Sequence, residues 1–157
     1  MSVRLRRIAI SGHIGRPEVR RATTLLRARL ARRSCEVRIE QALAAAAGRE
    51  GQPLAQLAAW CQLLISLGGD GSVITGGRSL AGRRGALLGI NFGGLGFLAA
   101  AEQGELLPAV DAALASAWPI SPRRLLRARV LRRGRVVARS FAMNDAVHIL
   151  RDERGLP

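Results

Sequence analysis

The sequence contains no lysine and no tyrosine, and phenylalanine and tryptophan together make up only 3% of it. A surface that stacks single-stranded bases needs aromatic rings, so nucleic acid is disfavoured as a partner despite a formal charge of +14. The positive charge is carried by arginine alone and accompanies abundant alanine and glycine, which reads as compositional bias as much as a binding patch. It still attracts polyanions, nucleotides among them, in a salt-dependent way. Cys35 and Cys61 stand alone, without a CxxC pair, and read as reduced thiols of a cytoplasmic protein. No apolar run approaches the ~20 residues that span a bilayer. The apolar stretch behind the first arginines is too short for a signal peptide.

What is present is hydrophobic residue, 48% of a 157-residue chain, enough for one folded domain and part of another. The stretch Leu64-Ile65-Ser66-Leu67-Gly68-Gly69-Asp70-Gly71-Ser72 organises the rest. Gln62–Leu67 has the length of a buried strand and runs straight into glycine. Gly68, Gly69 and Gly71 permit a sharp turn and a close ligand approach, and amides exposed in such a turn hold phosphate oxygens. Asp70 then falls at the carboxyl end of a strand, where open α/β sheets bind ligands. A carboxylate there can hold a metal or take a proton from an attacking hydroxyl. The bland alternative is an aspartate that caps the next helix.

Strands are expected at Arg7–Ser11, Glu36–Ile39 and Ala86–Ile90, with helices at Glu18–Arg33, Pro53–Trp60 and Glu105–Ala117. Gln41–Ala47 reads as a helical turn or a loop. A helix after Ser72 is weakly specified, because Gly76-Gly77 interrupts it at about 1 kcal/mol per glycine. His13 reads as a solvated loop residue and Trp60 as packed core. Asn91–Leu98 is a second glycine-rich turn directly after a strand, placed to face the first across one crevice. Past Pro119 and Pro122, Leu125–Leu131 and Val136–Leu150 read as a β-hairpin, with Asn144-Asp145 in its second strand. The fold class is therefore α/β: an open, mostly parallel sheet flanked by helices over residues 1–120, then the start of a β-rich second domain over 121–157.

Three motifs in order, Gly68-Gly69-Asp70-Gly71-Ser72, Asn91-Phe92-Gly93-Gly94-Leu95-Gly96-Phe97-Leu98 and Asn144-Asp145, resemble those of the NAD kinase family. The first is shared with phosphofructokinases and lipid kinases, whereas the second is not. The resemblance implies transfer of a phosphoryl group from ATP or polyphosphate to the 2′-hydroxyl of the adenosine ribose of NAD, giving NADP. It implies Asp70 as general base, Gly71 against the dinucleotide, Gly68 and Gly69 in the phosphate turn, Phe97 near the adenine, and Asn144 and Asp145 on the nucleoside parts. It also implies a divalent cation, normally magnesium, with ligands among these residues left unknown, and a homo-oligomer. Ser72 replaces the family's commoner threonine, and Thr75 stands where many members have a basic residue. The family's Thr-Pro-Thr-Gly-Ser-Thr-Ala-Tyr segment is missing, which implies a truncated enzyme with little activity by itself. The rival readings are a non-catalytic nucleotide-binding protein on the same fold, a basic nucleic-acid-binding domain, and another kinase that shares only the GGDG turn.

Overall fold

A computed structural model describes residues 5–94, 96–117 and 119–146. The described chain divides into two compact units at Pro122/Arg123.

The first unit is a parallel sheet of β1 (Arg7–Gly12), β2 (Glu36–Ile39), β3 (Leu63–Gly68), β4 (Ala86–Asn91) and a two-residue β5 (Ala101–Glu102), in the order β2-β1-β3-β4-β5. β3 is central and all six of its residues are buried, which explains its near-continuous apolar sequence. The two faces of the sheet carry separate cores. On one face Ile8, Ile10, Ile65, Leu67 and Ile90 meet helices α1 (Pro17–Ala31) and α5 (Leu106–Leu114). On the other, Ala9 and Leu64 meet Leu57 and Ala58 of α3 (Leu54–Trp60) and Leu80, which closes α4 (Asp70–Ser79). A short α2 (Gln41–Ala45) follows β2. Helix α1 buries Val19, Ala22, Leu26 and Leu30, exposes Arg20 and Arg21, and half buries Arg27 and Arg29. Arg29 and Arg33 both reach Asp111, so the polar rim of α1 is tied to α5. The guanidinium of Arg29 holds the Asp111 carboxyl below its usual range.

Helix α4 departs from the sequence expectation in two ways. It starts at Asp70 rather than after Ser72, with Gly69 as its N-cap. Gly76 is also buried, and a Cβ there would stand 3.0 Å from Leu87 Cδ1 and 3.4 Å from Leu64 Cδ2. The residue that weakens the helix by propensity is thus the one that lets it lie close on β3 and β4. Trp60 is only half buried, and the Arg38 guanidinium lies 4.1 Å from its ring centroid. Its role is part packing and part cation–π contact, rather than core alone.

The second unit is the antiparallel pair β6 (Leu126–Arg132) and β7 (Arg135–Ala142). Arg133 and Gly134 both have positive φ, 50° and 74°, as a two-residue type I′ hairpin turn requires. β7 ends at Ala142, so Asn144-Asp145 lies beyond the strand instead of inside it, in an exposed segment. The expected continuation of that strand to Leu150 falls outside the described residues.

Candidate functional site

A parallel sheet sends every strand's carboxyl end to one edge, and this chain places its polar turns there. Register makes them level: Gly12 pairs with Leu67, and Gly68 pairs with Asn91. From β1 the chain crosses to β2 on one side and reaches β3 on the other. The loops after β1 and β3 therefore diverge onto opposite faces, α1 on one and α4 on the other, and the switch point between them is where a ligand crevice forms. His13 stands at that point. Its N–H donates to the Leu67 carbonyl at 2.9 Å. A Cβ at Gly68 would come within 3.5 Å of its Cβ. The side chain is exposed, as expected of a loop histidine, but it flanks the glycine turn rather than drifting free of it.

The three glycines around Asp70 do different jobs. A Cβ on Gly68 would sit 2.2 Å from Ser72 Oγ and 2.9 Å from Ser72 Cβ, so this glycine is demanded by the chain's own packing. Gly69 and Gly71 have open space where a Cβ would be, with nothing within 4 Å. The Ser72 N–H returns to the Gly69 carbonyl at 3.0 Å, which leaves the amides before it at the open start of α4. That end of a helix favours negative charge.

Asp70 is half buried and joins the two turns. Its Oδ2 accepts the Phe97 N–H at 3.0 Å, and its Oδ1 accepts the Leu98 N–H at 3.1 Å. Gly96 is close enough that a Cβ there would stand 3.0 Å from Oδ1. A carboxylate has about four acceptor directions, so these amides orient it without exhausting it. The Phe97 ring is 82% exposed, free to meet a flat ligand.

Two residues that hold the second turn in place, Asn91 of the second motif and Arg16, had no role assigned to them from sequence. Asn91 is buried at the end of β4. Its Oδ1 accepts the Gly93 N–H at 2.9 Å, while Nδ2 donates to the Gly94 carbonyl at 2.8 Å and to the Glu102 carboxylate at 3.1 Å. Asparagine leading a glycine turn was the available signal. Arg16 reaches from the end of the β1 loop and donates to the Phe92 carbonyl at 2.6 Å, which ties that loop to the second glycine turn. Nothing in the sequence pointed to that contact across the sheet. At the end of β2, burial pushes the Glu40 carboxyl up, opposed by a hydrogen bond from the Gly12 N–H.

The structure thus brings Gly68, Gly69, Asp70, Gly71 and Phe97 to one edge of one unit. Asn144 and Asp145 belong to the other unit, both exposed.

No protein-family model matches the chain. Its sequence is 35% identical over 151 residues to an NAD kinase of Aromatoleum aromaticum, covering 94% of this chain and 50% of that protein. It is 39% identical over 119 residues to an NAD kinase of Solibacter usitatus, covering 75% of this chain and 42% of the relative. The crystal structure of a yeast NADH kinase complexed with NADH superimposes with a TM-score of 0.76 at 19% identity, over 90% of this chain and 48% of that one. The chain spans about half the length of the curated relatives it matches.

Proposed function

From a chain that resembles the NAD kinases in sequence over most of its length and shares the fold of an NADH kinase, we propose that these residues form the nucleotide-binding half of an NAD kinase. The reaction is transfer of a phosphoryl group, from ATP, to the 2′-hydroxyl of the adenosine ribose of NAD. The observation that carries the reading is Asp70: a carboxylate at the open start of α4, oriented by the amides of the second glycine turn. Phosphoryl transfer is mostly positioning and charge neutralisation, and one carboxylate that accepts the hydroxyl proton completes it.

In this reading the amides around Gly69 and Gly71 face phosphate oxygens, since both positions are open. Gly68 supports that turn from below by admitting Ser72. The exposed Phe97 ring packs against the adenine. Asn144 and Asp145 contact the nucleoside parts, and a nicotinamide dinucleotide is the acceptor. Among the described residues no three His, Cys, Asp or Glu side chains converge into a metal cage. One carboxylate plus substrate phosphates is the usual way magnesium is held, and Asp70 fits the carboxylate part. A cation there would neutralise phosphate charge. Polyphosphate as an alternative donor and a homo-oligomeric state belong to the same reading. So does a reducing, cytoplasmic setting, which suits the thiols of Cys35 and Cys61; burial pushes the latter up.

The test is NADP formation from NAD and ATP, by the chain alone and by the chain joined to the C-terminal half of the Aromatoleum relative. Asp70→Asn should lower turnover by about 10²–10⁴-fold while nucleotide binding persists. Unchanged turnover in that variant refutes the assignment of Asp70. Failure of NAD to bind the joined protein refutes the substrate.

A further inference from the structure

β2 is the outer strand of the sheet, and its far edge is open. Glu36 and Glu40 donate their N–H groups inward, to Arg6 and Ile10. Strand alternation therefore turns the peptide groups of Val37 and Ile39 outward. The Ile39 carbonyl accepts the Gln52 N–H at 2.9 Å, which closes the end of the edge. The N–H and C=O of Val37 and the N–H of Ile39 have no recorded partner among the described residues. They open into a groove of about 640 Å³ that is lined by Arg27, Val37, Arg38, Arg49, Glu50 and Gln52. A second cavity of about 460 Å³ adjoins it and shares Arg27, Val37 and Arg49. Gly51 lets the 49–52 segment close on β2, since a Cβ there would meet Gln41 Cα and Ala44 Cβ at 2.7 Å.

The charge along this edge is net positive, three arginines (Arg27, Arg38, Arg49) against Glu36 and Glu50. Arg38 is shared among Glu36, Gln52 and the Trp60 ring. Arg27 and Arg49 make no salt bridge among the described residues. Glu50 is the only acid lining the groove. Two identical edges of this kind repel each other, which argues against a second copy as the occupant. A nucleic acid lacks the alternating donors and acceptors that the open peptide groups call for, and Trp60 is already covered by a guanidinium.

We propose that the β2 edge docks an extended acidic peptide segment of another protein, which adds as a further strand and sets carboxylates against Arg27 and Arg49. This surface is separate from the glycine turns and does not depend on the kinase reading.

The probe is a short fluorescent peptide of alternating Val and Glu, titrated by anisotropy into the full chain. Binding should shift the Val37 and Ile39 amide resonances. N-methylation of alternate peptide nitrogens should weaken binding about tenfold, because backbone hydrogen bonds are lost. Arg27→Glu with Arg49→Glu should weaken it by on the order of tenfold or more, and Arg83→Glu with Arg84→Glu should not. Equal binding of the N-methylated peptide, equal loss in the Arg83/Arg84 control, or displacement of the peptide from these amides by oligothymidylate would overturn the proposal. The resonance shifts at Val37 and Ile39 use the unmodified chain, so they decide the matter even where a charge-reversed variant fails to fold.

Discussion

Removing the Asp70 side chain should loosen the second glycine turn before any chemistry is considered. In Asp70→Ala the Phe97 and Leu98 amides lose their carboxylate partner. Hydrogen bonds to charged groups are worth about 1.5–3 kcal/mol when shielded. Asp70 is half exposed and water competes for both amides, so about 1 kcal/mol each is the appropriate scale. Loss of a negative charge in the first turn of α4 adds about 0.5 kcal/mol. The sum is about 2 to 2.5 kcal/mol, which lowers Tm by roughly 5–8 °C for a chain of this size. Asp70→Asn retains one acceptor oxygen and should lose roughly half as much. Thermal unfolding followed by circular dichroism measures the first quantity. Amide exchange of Phe97 and Leu98, expected to accelerate by on the order of tenfold in the alanine variant, measures the second. If both variants melt with the wild type and those two amides keep their protection, the carboxylate does not hold the turn, and its orientation as a base loses its physical support.

Gly76 separates propensity from packing. Gly76→Ala should be near neutral, because about 1 kcal/mol of helix propensity offsets a tight contact with the tip of Leu87. Gly76→Val should cost about 1–3 kcal/mol by overpacking, read from urea unfolding; a stabilised valine variant would disprove the close helix–sheet contact. Glu40 has a raised carboxyl in the folded state, so folding takes up protons there and stability falls as pH rises from the unfolded carboxylate value through the folded one. Glu40→Gln removes that loss while its amide oxygen can still accept the Gly12 N–H. Its Tm should therefore exceed that of the wild type at neutral pH, and the gain should shrink at pH 4. A gain independent of pH would place the effect elsewhere.

Apolar runs that end in glycine turns were enough to place β1, β3 and β4, because a strand buried on both faces must be apolar along most of its length; Glu36–Ile39 is also a strand, but at the sheet's edge it carries Glu36 and Arg38. β5 escaped because two residues carry no periodicity. The turn around Asp70 was legible as a turn because three glycines follow an apolar strand directly. Helix α4 was underestimated: propensity is a local quantity, whereas Gly76 is chosen by Leu64 and Leu87, which lie on neighbouring strands. Similarly, Trp60 read as core because nothing nearby in the chain showed that Arg38 covers it.

The amino-acid order alone determined that this is a parallel α/β unit whose polar turns share one edge, since strand, turn and helix recur in sequence and parallel strands all end on the same side. Only the tertiary structure decided what those turns do to one another. Asp70 meets Phe97 and Leu98, Arg16 meets the Phe92 carbonyl, and Gly68 yields to Ser72. Two of these contacts join turns that follow different strands, while the third depends on how the chain folds back within a single turn. Both are set by strand order, register and backbone path, which local sequence does not encode.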